Sequence, residues 1–264
     1  RSRGGCMGRL FLLILTAKLT WAQRSPASPN VTSLDAALYG TIDRRIQAMK
    51  TIDQQNLITD PAVRRLVVNS LIAESSDPQW SDLAESIEYS AYYSNLLTTG
   101  QRIATEYNDA RAWRALVSGV YNDDSRYAVW LSEQPNALPA LIQAAHVDAH
   151  STVHDTDITA RVLYVLAQAL QRCESKPAGK TCVLVQARRN QILQEIRNGL
   201  KYSAVSYWAV RALTLCGDAQ DIELVAQAAV EPRGELTEEQ IQKEWDSVIR
   251  WAQNAIRERT QAKK

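Results

Sequence analysis

Apolar residues recur along most of the chain at three- and four-residue intervals, the spacing that lines one face of an α-helix, and few segments alternate strictly enough to read as strands. Over 157–170, Ile158, Val162, Val165, Leu166 and Ala169 share one face; over 205–216, Val205, Trp208, Ala209, Ala212, Leu213 and Cys216 do. Such stripes predict helices buried on one side. Further helices are predicted over 80–97, 137–150, 181–200 and 219–230. The closing segment opens with Thr237 and Gln240 in capping-box spacing. It then places Ile241, Trp245, Val248, Ile249, Ala252 and Ile256 on one face, which predicts a long terminal helix.

The pattern also repeats. DPAVRRLVVNSL from Asp60, NDARAWRALVSGV from Asn108, DITARVLYVLAQAL from Asp157 and SYWAVRALTLCG from Ser206 align, each with an Arg four or five residues after a Ser or Asp. The markers Arg64, Arg114, Arg161 and Arg211 are separated by 50, 47 and 50 residues. A fixed period of this size is the signature of stacked helical units. DPAVRR at 60–65 and AVRALTLCGDAQDIELVAQAA at 209–229 resemble HEAT repeats, helical hairpins whose first helix often begins Asp-Pro-x-Val-Arg. The resemblance extends over 40–232. It implies an all-α fold, an α-α superhelix of HEAT/armadillo type, closed by a capping helix and basic tail over 233–264. It also implies that the marker arginines bond to acidic residues of their own or a neighbouring repeat. Their alternative role is a ladder of anion contacts along one surface.

Composition sharpens this picture. Only 10 Gly and 8 Pro punctuate 264 residues, and Ala, Leu, Gln, Arg and Glu fill long stretches, as helices prefer. The net charge of +1, with acids and bases mixed throughout, gives no footprint for nucleic acid. The basic stretch over 257–264 is expected to be a solvated helix end. Arg9 precedes the apolar run LFLLILTA at 10–17, followed by Thr20 and Ala22 at the positions a signal peptidase prefers. Residues 1–22 therefore read as a cleaved signal peptide, cut after Ala22, and 23–39 as a flexible Ser/Pro-rich lead-in carrying the sequon Asn30-Val31-Thr32. The apolar run is too short to span a bilayer, which needs about 20 residues. The expected location is secreted or periplasmic, with no stable membrane insertion.

Export makes disulfides possible. Cys173 and Cys182 bracket a turn-rich loop with Pro177 and Gly179 and are expected to pair, whereas Cys216 lies on an apolar stripe as a small buried hydrophobe. The three histidines, His146, His150 and His154, fall in HVDAHSTVHD. On a helix, i and i+4 histidines can chelate a divalent metal such as zinc. Yet Ser151, Thr152 and the following Asp-Thr-Asp resemble turn and cap residues. Tyr89, Tyr92 and Tyr93 could form an aromatic platform, or bury their rings and leave the hydroxyls wet. AGKT at 178–181 lacks the first Gly of a phosphate-binding loop. HEAT-like enzymes that bind two irons resemble one another in paired His-Glu dipeptides, and the sequence contains none. The expected function is a non-catalytic protein-interaction scaffold for a protein or peptide partner, without cofactor. Its alternative is a metal-binding protein using the histidine cluster.

Overall fold

The computed structural model of the chain describes residues 29–75, 86–119, 125–177, 179–230 and 237–262, without the side chains of Pro29, Asn30, Ser125, Arg126 and His154. The expected leader, its cut, the lead-in before Pro29 and the start of the helix predicted over 80–97 lie outside the described residues. Within them the fold is all-α, with thirteen α-helices and no strand. No described helix is long and apolar enough to cross a membrane.

The first difference from expectation comes at once. Part of the supposed lead-in is helix α1, Pro29–Leu38. Pro suits the first helical position because its missing N–H has no intrahelical partner there. Val31, Leu34 and Leu38 then fall on one face and are buried, where α1 meets α2 (Ile42–Gln54) and α3 (Pro61–Ser75). The sequon therefore lies in the first turns of a packed helix. Asp60 begins α3 by accepting from the Ala62 amide at 2.7 Å. Ser86 does the same for α4 (Ile87–Tyr107), and Asp109 for α5 (Ala110–Ser118). Asn108, at φ 50°, turns the chain between them. Asn tolerates that left-handed conformation better than most residues.

Helices α6 (Ser125–Glu133) and α7 (Leu138–Ala144) lead to α8, Val153–Ser175. α8 touches α5, α6 and α7 as well as the three helices that follow it: α9 (Lys180–Ala187), α10 (Arg189–Gly199) and α11 (Ser203–Cys216). Partners on several sides explain why its burial exceeds the single predicted stripe, taking in Ala160, Leu163, Ala167 and Leu170. The helix predicted over 181–200 is two helices, broken at Arg188. At the break Arg189 reaches the Cys216 carbonyl and the Glu174 carboxylate. Only Asp221–Ala226, α12, is helical within 219–230. α13 (Glu238–Ala262) begins as predicted: the Gln240 amide donates to Thr237 Oγ1, and the Thr237 amide to Gln240 Oε1. It packs on α11 and α12 and buries Trp245, Ala252 and Ile256.

The four Arg-marked segments are all helical, in α3, α5, α8 and α11, and each touches the next. α8 and α11 run parallel, with Arg161 against Trp208 and Tyr164 against Arg211, both pairs 47 residues apart. α2 and α4 also run parallel. Arg45 lies over Tyr92, again 47 residues on, and Arg102 bonds Asp53 across 49. Helices paired in parallel need a returning segment between them.

Candidate functional site

Among the predicted site residues, the cysteines match expectation. Cys173 and Cys182 are bonded, with Cα atoms 5.1 Å apart. The loop between them closes through Gly179, whose φ of 89° lies where a Cβ would strain the backbone. Cys216 is free and fully buried, and burial pushes its thiol up to about 12. It behaves as an unreactive apolar residue.

The histidines do not share a helix. α7 stops at Ala144, and His146 and His150 lie in the loop that follows. The loop has its own bonding: Asp148 Oδ1 accepts from the His150 amide at 2.8 Å, and the Ser151 hydroxyl accepts from the Asp148 amide. These local bonds compete with helix continuation. The His150 amide holds the Asp148 carboxyl below its ordinary value. Thr152 then caps α8 in a capping box with Asp155, so the cap reading of this segment holds. His146 Nδ1 sits 3.1 Å from Glu195 Oε2 and ties the loop to α10, while the backbone of His154 belongs to the first turn of α8. The i, i+4 chelation premise therefore fails on geometry. Among the described residues no group of three or more His, Cys, Asp or Glu is placed to hold a metal ion.

The tyrosines form no exposed platform. Tyr89, Tyr92 and Tyr93 are all buried, and the Tyr89 hydroxyl donates to Glu74 Oε2 at 2.6 Å instead of facing water. Glu74 in turn accepts from Arg45 at 2.6 Å. Burial, and then the Glu74 carboxylate, raise the pKa of Tyr89 above the ordinary 10.0. Burial dominates for Tyr92 as well.

The marker arginines separate into distinct environments. Arg64 donates to the carbonyls of Ile58 and Thr59 and lies 4.0 Å from the Tyr107 ring centroid. Arg114 lines an open groove of about 580 Å³ with Asn108, Trp113, Pro135, Pro139 and Gln143. Arg161 and Arg211 converge. Arg161 is 5.7 Å from the Trp208 ring, and Arg211 lies 5.3 Å from Tyr164, 5.3 Å from Trp208 and 5.8 Å from Tyr207. The carboxylate partner implied by the repeat resemblance is thus replaced, for Arg64 and Arg211, by carbonyls and aromatic rings.

Arginines at positions that no repeat alignment marks bond carboxylates. Arg197 holds the fully buried Asp221 at 2.6 Å, and Arg172 holds Glu133 at 2.6 Å. Arg259 bonds both Glu174 and the Gly217 carbonyl, so the expected solvated end of α13 is tethered. Long-range pairing of this kind leaves no local sequence trace.

The α8–α11 cluster is the most developed surface feature. Arg161 and Tyr164 share one face of α8, and Tyr207 or Trp208 and Arg211 share one face of α11, because residues three and four apart are neighbours on a helix. Beneath them Val147, Ala160 and Val205 form a small core of their own, on which Tyr202 and Trp208 pack. The Asn198 amide donates to the Val147 carbonyl at 2.9 Å and fixes the adjoining loop. The rings and both guanidiniums are half-buried. Such a face can bind an anion or a planar group. No family model, curated protein or solved structure matches the chain.

Proposed function

We propose that the chain is a non-catalytic, extracytoplasmic protein-interaction scaffold, built as a HEAT-like stack of helical hairpins. The observation that carries this reading is a set of tertiary contacts at sequence separations close to 50 residues. Arg102 with Asp53 and His146 with Glu195 are 49 residues apart, Thr181 with the Glu133 carbonyl 48, and Asn198 with the Val147 carbonyl 51. These values lie close to the 50, 47 and 50 residues between the marker arginines. A stack in which each unit rests on the next produces this periodicity, because equivalent positions in successive units become neighbours. An irregular bundle has no reason to.

The Cys173–Cys182 disulfide supports an oxidising compartment, as does the signal-like run at 10–17. Stacks of this kind present extended faces to partners rather than a single deep pocket. Affinity capture tests the function. Tagged full-length chain, recovered from the extracytoplasmic fraction after brief cross-linking, should carry a protein enriched over an unrelated helical bait. Recovery of the chain only from the cytosol, or of nothing above that bait, overturns the proposal.

A further inference from the structure

We propose that the exposed side of α8 and α11, centred on Arg211, is a docking ledge for an acidic peptide segment of a protein partner, whose carboxylate the Arg211 guanidinium holds. The inference rests on the scaffold function and names the chemistry of its partner. Arg211 differs from the arginines that tie elements together through ion pairs. Arg45, Arg172, Arg197 and Arg259 each direct their N–H groups to a carboxylate. Arg211 is also half-buried, yet its contacts are the faces of Tyr164, Tyr207 and Trp208. Among the described residues no acceptor lies within hydrogen-bond distance of its N–H groups.

Ring faces attract the guanidinium charge without accepting its N–H bonds, and those donors match the two oxygens of a carboxylate. Rings from two helices hold the group, so little conformational freedom remains to be lost on binding. Trp, Tyr and Arg are also the residue types that most often supply binding energy at protein interfaces.

Charge selects the occupant. Among the described residues the Arg211 guanidinium meets no carboxylate, and by helical spacing α8 brings one, Asp157, to the ledge a turn before Arg161. That balance favours a segment with few negative charges. A nucleic acid gains affinity by engaging a run of cations, and a chain of net charge +1 with intermixed acids and bases offers none here.

The test uses full-length protein and three labelled probes: a peptide alternating Glu and Ala, the same peptide with Gln for Glu, and oligothymidine of equal charge. Fluorescence anisotropy reads affinity. The Trp208 indole N–H resonance, assigned through Trp208→Phe, reads location. The Glu peptide should bind and shift that resonance, and weaken as salt rises. The Gln peptide should bind at least about tenfold less tightly, the loss expected for one charge-assisted pair. Arg211→Gln should reduce binding of the Glu peptide by a similar factor, and Arg211→Lys should restore it only in part, since it returns the charge without the fork. Equal binding of both peptides, an unshifted Trp208 resonance, or undiminished affinity in both folded variants overturns the ledge. Tighter binding of oligothymidine overturns the peptide assignment. Each of these leaves the scaffold open to affinity capture, whereas failed capture with intact peptide binding removes the scaffold and keeps the anion site.

Discussion

The pair Arg45–Glu74 and the tyrosines above it show how single residues trade exposure for bonding. Glu74 is buried, yet Arg45 and the Tyr89 hydroxyl both donate to it. A buried carboxylate without such donors is costly. Tyr89 and Tyr92 are held neutral because burial and the nearby carboxylate both oppose a second negative charge. Their folded pKa values are raised, so the folded chain keeps protons that the unfolded chain releases. Stability from this source is intact below the ordinary 10.0 and declines as pH rises past it toward the folded values. We expect tyrosinate absorbance to show these two rings ionising only together with loss of helical circular dichroism. Their ionisation in a chain still fully helical contradicts the buried network. The sequence shows three tyrosines in one helical turn and a half. It does not show Glu74, which reaches them only because α3 and α4 pack together.

At the scale of elements, local chemistry decides where helices begin and packing decides how they join. Asp60, Ser86, Asp109, Thr152 and Thr237 all act as caps, and each is a residue type that prefers that position. The disulfide links α8 to α9 across nine residues of sequence. Closing so short a loop restricts the unfolded chain by roughly 2 to 3 kcal/mol. Replacing Cys173 and Cys182 together by Ser should lower stability in urea unfolding by about that amount while leaving helical content intact. An unchanged midpoint refutes the entropic role. Cores give larger effects: Leu213 is fully buried on α11, and Leu213→Ala should cost about 2 to 5 kcal/mol through lost packing and a residual cavity. Val183 is 70% exposed, and Val183→Ala should fall within roughly half a kcal/mol. Equal costs at the two sites contradict the assigned burial.

For the whole molecule, α13 covers α11 and α12. Its Trp245, Ala252 and Ile256 are buried, Gln253 donates to the Ile222 carbonyl at 3.0 Å, and Arg259 fixes the far end to Gly217 and Glu174. Truncation before Thr237 should therefore expose the apolar side of α11, lower the thermal midpoint and raise dye binding to exposed apolar surface. A truncated chain as stable and soluble as the full one shows that α13 is an appendage. The hub position of α8 makes a complementary point. With partners on several sides, it couples the helices before and after it, so loss of one end should be felt beyond the helices that touch it.

The sequence by itself determined the helical class, the caps at Thr152 and Thr237, and the short-range disulfide. These depend on side chains within a few turns of one another. It misread 29–38 as part of a lead-in, because three apolar residues at helical spacing mean little until α2 and α3 cover them. It placed His146 and His150 on a helix that ends at Ala144, because the competing bonds of Asp148 and Ser151 are weak in sequence and decisive in a loop. Only the tertiary structure decided which arginines meet carboxylates and which meet rings. Arg197 with Asp221 and Arg211 with Tyr164 are chosen by how whole helices are laid against each other, and an alignment of markers carries no such distance.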